Sequence, residues 1–115
     1  TEEEQGSYNN IVNIPLPPRS TGALMRQKYE GQVFPALRKF EPDLILISAG
    51  FDAHKADPLA ELTWSTADFS WLTERLCKIA LECCEGRLVS TLEGGYDLEA
   101  LADSVKAHVM RLCEA

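Results

Sequence analysis

The chain lacks several features that define familiar classes of protein. It has no excess of basic residues, since 11 lysines and arginines stand against 18 aspartates and glutamates and give a net charge of −7. Proteins that bind nucleic-acid backbones present a basic face, so we expect no direct nucleic-acid partner. No apolar run approaches the roughly 20 residues that a helix needs to cross a bilayer, so we expect no membrane partner. The N-terminal residues are polar and acidic, unlike a secretory signal.

The cysteines give no sign of a metal-binding or disulfide framework. The chain has four, at Cys77, Cys83, Cys84 and Cys113, and none forms a C-x-x-C pair. Small buried apolar side chains in a reducing compartment account for this usage. We therefore expect an intracellular protein, and within the cell a cytoplasmic one.

What the chain does contain is an alternation of strand-like and helix-like patterns. Its 115 residues suffice for one domain with a real core. Such alternation predicts an α/β fold with a parallel sheet flanked by helices. Pro35 interrupts the first helical pattern, so that helix either kinks there or restarts with Pro35 in a first turn. The predicted order is β-α-β-α-β-α, with strands at 11–14, 44–48 and 88–92. The first helix is predicted at about 21–40. The second is predicted to begin at the capping signal Ser65–Asp68 and to end at Gly86, and the third is predicted to follow Asp97.

A cluster of ionisable side chains follows the second predicted strand. Asp52, His54 and Asp57 come just after its carboxyl end, which is where ligands bind in open α/β sheets. Carboxylate and imidazole are both zinc ligands, so the loop could hold a metal ion. Aspartates also stabilise turns, and turn chemistry is the simpler explanation of the spacing alone.

The loop after the third predicted strand contains two glycines and a tyrosine. Gly94 and Gly95 permit a sharp turn that could present the Tyr96 hydroxyl to an oxyanion. A strand-to-helix turn in which the ring only packs is the alternative. A phosphate-binding loop is disfavoured because Glu93 and Asp97 would repel phosphate.

Two further residues have both a structural and a functional interpretation. His108 stands beside Val109 in the last predicted helix and is expected to be a surface or boundary residue rather than a catalyst. Trp64 precedes the middle helix and lies either at a pocket mouth or in the core.

These motifs together resemble the C-terminal part of the histone deacetylase superfamily, in the style of class II and bacterial members and of acetylpolyamine amidohydrolases. The resemblance is carried by LISAGFDAH at 46–54, DPL at 57–59 and LEGGY at 92–96. Residues 10–17 are also similar to the strand that leads into this region of the family.

The resemblance implies a fold of the arginase/deacetylase type and a set of site residues. Asp57 corresponds to a zinc ligand of the family. Tyr96 corresponds to a tyrosine that donates a hydrogen bond to the acyl oxygen and its tetrahedral intermediate. Asp52 corresponds to a carboxylate with a structural role or one that supports the metal ligands. The residues implied to line the acyl-lysine tunnel are Trp64, Gly94 and Gly95.

The sequence also departs from the family pattern. It has only two histidines, so it lacks the adjacent histidine pair that serves as general acid and base. The upstream Asp-x-His that supplies two zinc ligands is missing as well, because Asp52-Ala53-His54 has that form but occupies another place in the pattern.

Residues 1–115 are therefore predicted to be the C-terminal portion of a longer zinc-dependent amidohydrolase acting on acetyl-lysine or acetylated polyamines. The isolated fragment is predicted to hold no zinc, to be inactive and to be prone to self-association through exposed strand edges. A stand-alone, non-catalytic α/β binding module is the alternative.

Overall fold

Two parallel strands and the helices around them dominate the part of the chain that the computed structural model describes, residues 6–8, 10–17, 19–49, 64–92 and 98–114. A π-helical turn, Tyr29–Val33, joins the first two helices. The strands are β1 (Ile45–Ala49) and β2 (Leu88–Leu92). The helices are α1 (Gly22–Lys28), α2 (Phe34–Phe40), α3 (Thr66–Cys84) and α4 (Leu98–Glu114).

β1 and β2 pair in parallel along their whole length. Ile45 lies opposite Leu88, and Ala49 lies opposite Leu92. Because α3 comes between them in the chain, β1, α3 and β2 form one βαβ unit. The parallel pairing predicted for these two strands is confirmed, and so is the α/β fold class.

The two faces of this sheet have different surroundings. Ile45 and Ala49 are buried on the face that packs against the helices. On the opposite face Leu46 is 71% exposed and its partner Val89 is 55% exposed. Ser48 and Thr91, the next pair along that face, are exposed too. Parallel sheets usually bury both faces, so the described residues cover only one side of the sheet.

Apolar packing between the sheet and the helices forms two clusters. The first lies between β1, α2 and α3, and complete burial of an aliphatic side chain such as Ile79 contributes about 1.5–3 kcal/mol. The second lies at the carboxyl end of β1. The buried members of the first are Phe34, Ile45, Ile79, Ala80 and Cys84. Those of the second are Met25, Ala49, Trp64 and Phe69.

The strand predicted at 11–14 is wrong. Residues 10–17 have no regular secondary structure, and Ile11 and Val12 remain about half exposed. A strand exists only where a neighbouring strand accepts its hydrogen bonds, and among the described residues β1 pairs only with β2. Pro15 and Pro17 also lack the N–H groups that a ladder requires. The described sheet therefore has two strands rather than three.

The π-helical turn explains how the first helical segment accommodates Pro35. The N–H of Phe34 donates to the carbonyl of Tyr29, five residues back instead of four. Pro35 lies in the first turn of α2, where the missing proline N–H needs no acceptor. Of the two alternatives, a kink or a restart, the structure has the first-turn position for Pro35, but the backbone stays helical through the π-helical turn instead of breaking.

α3 begins and ends at the residues that the sequence predicts. The Ser65 side chain accepts from the N–H of Asp68, and the Asp68 carboxylate accepts from the N–H of Ser65 at 2.8 Å, which completes a capping box. At the other end Glu85 and Gly86 are left-handed, with φ of 57° and 80°. The Gly86 N–H donates to the carbonyl of Ala80 and closes the helix.

The Asp68 carboxylate also joins α1 to α3. Arg26 donates to it through Nε at 3.0 Å, and the guanidinium lies 5.0 Å from the centroid of the Trp71 ring. Gly22 passes so close that a Cβ built there would overlap the Asp68 carboxylate. A hydrogen atom at position 22 is therefore what allows α1 to reach the start of α3.

We predict that Gly22→Ala lowers the free energy of unfolding by about 1–3 kcal/mol, the usual cost of inserting a methyl group into a filled space. The methyl group would displace the carboxylate that caps α3 and binds Arg26. Urea-induced unfolding followed by circular dichroism measures the change. Gly31→Ala is the matched control, because a Cβ at Gly31 meets nothing within 4 Å, and alanine in a helix is favoured over glycine. Equal losses in the two variants would contradict this interpretation.

Candidate functional site

The carboxyl ends of β1 and β2 lie side by side at one edge of the sheet. Ala49 and Leu92, the last residues of the two strands, face each other in the parallel register. The segments 50–63 and 93–97 therefore leave the sheet from adjacent points. In α/β proteins this edge is where ligand sites form.

Most of the site residues that the sequence predicts fall in these two segments. They lie outside the described residues, and their proposed roles stay predictions. Within the described ranges, no group of three or more His, Cys, Asp and Glu side chains could hold a metal ion. The residues concerned are Asp52, His54, Asp57, Gly94, Gly95 and Tyr96.

Trp64 is the predicted site residue that the structure does describe. It is 8% exposed and packs against Met25, Ala49 and Phe69, with its ring centroid 5.8 Å from that of Phe69. No acceptor for its buried Nε1–H occurs among the residues described. Because the capping box at Ser65 starts α3 one residue later, the position of Trp64 is set by the start of that helix.

A cavity of about 150 Å³ adjoins Trp64 at this edge of the sheet. Its walls are mostly apolar, and the polar residues Tyr29, Ser48, Thr73 and His108 also contribute to its lining. Burial raises the pKa of the Tyr29 phenol, so that hydroxyl stays neutral. Trp64 thus both packs in the core and lines a cavity, which combines the two interpretations open from its sequence position. The other lining residues are Ile47, Ala49, Phe69, Leu72 and Leu76.

His108 is buried, contrary to the surface or boundary position expected from the sequence. Only 7% of it is exposed, and its two ring nitrogens contact different elements. Nδ1 lies 2.7 Å from the Thr73 hydroxyl of α3, and Nε2 lies 2.8 Å from the Ser90 hydroxyl of β2. The imidazole therefore joins α4 to a helix and to a strand at once.

The hydrogen bonds around His108 define one neutral tautomer. Thr73 donates its hydroxyl proton to the carbonyl of Phe69 at 2.8 Å. The Thr73 oxygen then accepts from Nδ1–H, because a hydroxyl group has a single proton to donate. Nε2 is left as the acceptor for the Ser90 hydroxyl. Burial lowers the pKa of His108 below its usual value of 6.5, which favours this neutral form.

A periodic signal for the burial of His108 is present in the sequence. Along the chain it stands next to Val109, which is 45% exposed. Counted by helical turns, it follows the apolar residues Leu101 and Val105 by seven and three positions, which places it on their face of the helix. The spacing of apolar positions indicates the inward face of α4 better than the character of the adjacent residues does.

Further polar contacts join α3 to α4. Arg111 donates through Nε to the Ser70 hydroxyl at 2.9 Å and pairs with Glu74 at 3.8 Å. The fully buried Ser104 lies 3.5 Å from the Thr66 hydroxyl. The two helices are thus held by polar contacts along much of their length.

None of the helices in the described ranges is long and apolar enough to cross a bilayer.

Comparisons with known proteins point to one family. Residues 1–112 match the family model of the histone deacetylase domain. The chain is 48% identical over 94 residues to a chloroplastic histone deacetylase 10 of Oryza sativa subsp. japonica, which covers 82% of this chain and 21% of that protein. It is 47% identical over 94 residues to a chloroplastic histone deacetylase 14 of Arabidopsis thaliana, and that match covers 82% of this chain and 22% of the relative.

A solved structure shows the same fold. The crystal structure of the HDA15 HD domain superposes with a TM-score of 0.80 at 32% sequence identity, covering 88% of this chain and 28% of that domain. The chain therefore spans about a fifth to a third of the proteins it is compared with here.

We predict that protonation of His108 destabilises the fold in acid. The pKa of the imidazole is lower in the folded state than its usual 6.5, so the unfolded state binds more protons. The stabilisation is complete above pH 6.5 and is lost as pH falls through the lower folded pKa, by at most about 1.4 kcal/mol per pH unit for one proton. Urea unfolding of the wild type and of His108→Gln, measured from pH 8 to pH 5, gives the difference. A difference that stays constant over this range would refute the prediction.

Proposed function

This chain belongs to the histone deacetylase domain family, and from that premise we propose that it is the C-terminal portion of a zinc-dependent amidohydrolase. The substrates we propose are acetyl-lysine side chains or acetylated polyamines, from which the enzyme removes the acetyl group. The observation that carries the proposal is the pairing of Ala49 with Leu92. Because of this pairing, the segment with the DPL motif and the segment with the GGY motif begin at neighbouring points of the sheet.

We propose that Tyr96 donates its phenolic proton to the acyl oxygen as negative charge develops there. A fixed donor of this kind stabilises the transition state more than the bound substrate, because the oxygen gains charge only as the bond to the nucleophile forms. The aromatic wall formed by Trp64 would hold the aliphatic stem of an acyl-lysine by apolar contact. Support for this role is that Trp64 lines the cavity at the sheet edge.

Asp57 would hold, as one carboxylate ligand, the zinc ion that polarises an amide carbonyl and lowers the pKa of a bound water. Its carboxylate has the right donor chemistry for zinc, but a catalytic zinc site needs three protein ligands. Since the described residues contain no cluster of three candidate ligands, we place the remaining ligands and the general base outside them. Asp52 would support the Asp57 segment without binding the metal.

We also propose an intracellular compartment for this protein. Support comes from Cys77, Cys83, Cys84 and Cys113, which are all free thiols. Structural disulfides are typical of oxidising compartments, and free thiols are typical of reducing ones.

We predict that Tyr96→Phe, in the polypeptide that carries this chain, lowers kcat for acetyl-lysine peptide hydrolysis by about 10²–10³, the usual cost of losing one oxyanion donor. KM should change little, since the hydrogen bond strengthens only in the transition state. Steady-state kinetics with an acetylated peptide and with an acetylated polyamine measure both constants and identify the preferred substrate class.

Tyr8→Phe is the matched control for that experiment, because Tyr8 is 88% exposed and removing its hydroxyl should leave kcat unchanged. An unaltered kcat in Tyr96→Phe would contradict the oxyanion role.

The 115-residue chain by itself is predicted to bind zinc weakly and to show no turnover. One carboxylate makes a poor site for an ion that needs several ligands, and loss of a general base alone costs about 10²–10⁴ in rate. Calorimetric titration with zinc and an assay on an acetyl-lysine peptide test both points. Stoichiometric submicromolar binding with turnover would show that the chain is complete as an enzyme. Lack of turnover in every longer polypeptide that contains the chain would favour the binding-module alternative.

A further inference from the structure

His108 connects three elements through two hydrogen bonds, and β2 is the element that leads to Tyr96. We propose that His108 is a positioning residue that fixes β2 against the α3–α4 layer and thereby fixes the start of the Tyr96 segment. The inference rests on the proposed function in one respect, the catalytic role of Tyr96. The contacts that carry it belong to described residues alone.

The donors in this network run in a single direction. Ser90 of β2 donates to Nε2, Nδ1 donates to Thr73 of α3, and Thr73 donates to the carbonyl of Phe69. The chain of donors ends on the backbone of α3, which does not move with a side-chain rotation. The Ser90 hydroxyl is thereby tied to the body of the helix layer.

This connection limits how far β2 can shift along its own axis. A strand advances about 3.3 Å per residue, whereas an O–H···N bond of 2.8 Å tolerates only a few tenths of an ångström before it weakens. Apolar contacts are non-directional and would tolerate a larger displacement. Hydrogen bonds to β1 fix β2 within the sheet, and the imidazole fixes β2 against α3 and α4 more narrowly than packing of Leu88 can.

The position of Ser90 in β2 makes that limit relevant to chemistry. Ser90 is the central residue of the strand and pairs with Ile47 of β1. Two residues later the strand ends at Leu92, and Tyr96 follows four residues after that. A displacement of β2 would therefore also displace the start of the segment that carries Tyr96, whose hydroxyl is proposed to bind the acyl oxygen.

The test compares two serine-to-alanine variants in the polypeptide that carries this chain. Ser90→Ala removes the hydrogen bond from β2 to His108. Ser70→Ala removes a hydrogen bond of similar length, 2.9 Å, between α3 and α4, without touching β2. We expect Ser90→Ala to lower kcat on an acetyl-lysine peptide about tenfold or more with KM nearly unchanged, since misplacement by about 1 Å can cost about 10²-fold. Ser90→Thr keeps the hydroxyl and should restore kcat, and Ser70→Ala should retain it.

Amide hydrogen exchange provides a readout that does not depend on activity. In Ser90→Ala the amides of residues 88–92 should exchange about tenfold faster than in Ser70→Ala, because local opening of the strand becomes easier. Equal exchange in the two variants overturns the proposal, and so does a normal kcat in Ser90→Ala when the wild type is active. A wild type that hydrolyses no acetylated amide would refute the proposed function instead, and exchange alone would then decide the role of His108.

Discussion

Parallel hydrogen bonding between β1 and β2 is the constraint on which the rest of the structure depends. Parallel neighbours cannot be joined by a tight turn, so the chain must return to the start of the sheet before β2 can begin. α3 makes this return: its 19 residues span about 28 Å, more than the roughly 17 Å of a five-residue strand. α3 is therefore long enough to cover the whole return distance, and both strands then finish at the same edge of the sheet.

The start of α3 is held by one carboxylate that several groups share. The Asp68 carboxylate accepts hydrogen bonds from the Ser65 N–H and from Arg26 of α1, and it lies in direct contact with Gly22. The guanidinium of Arg26 also lies over the Trp71 ring, which Arg75 approaches at 5.7 Å. These contacts fix the angle at which α1 meets α3, and they lie next to Trp64. The geometry of the cavity wall therefore depends on residues that no sequence motif would associate with a site.

Local signals predicted much of the fold. Ser65 with Asp68, Gly86 and Pro35 each act within a few residues of the chain, and each has the predicted role in the structure. The strand expected at 11–14 failed for a different reason: strand formation needs a partner distant in sequence, which an apolar run does not specify.

The candidate site was predictable to a smaller extent. Trp64 adjoins a cavity at the edge of the sheet where the sequence analysis expected a ligand site. The network of His108, Thr73 and Ser90 joins residues up to 35 positions apart, and no local pattern links them. The pairing of Arg26 with Asp68, 42 residues apart, was equally out of reach.

The sheet face that the described residues leave open changes in polarity from one end to the other. Leu46 and Val89 form its aliphatic pair, and Ser48 and Thr91 form a hydroxyl pair closer to the edge where the strands end. Polarity thus increases along the strand axis, so an element that packs on this face with the wrong end forward would bury hydroxyl groups against apolar atoms. The sheet can therefore discriminate between the two orientations of whatever covers it, by the cost of unpaired hydroxyl groups rather than by shape.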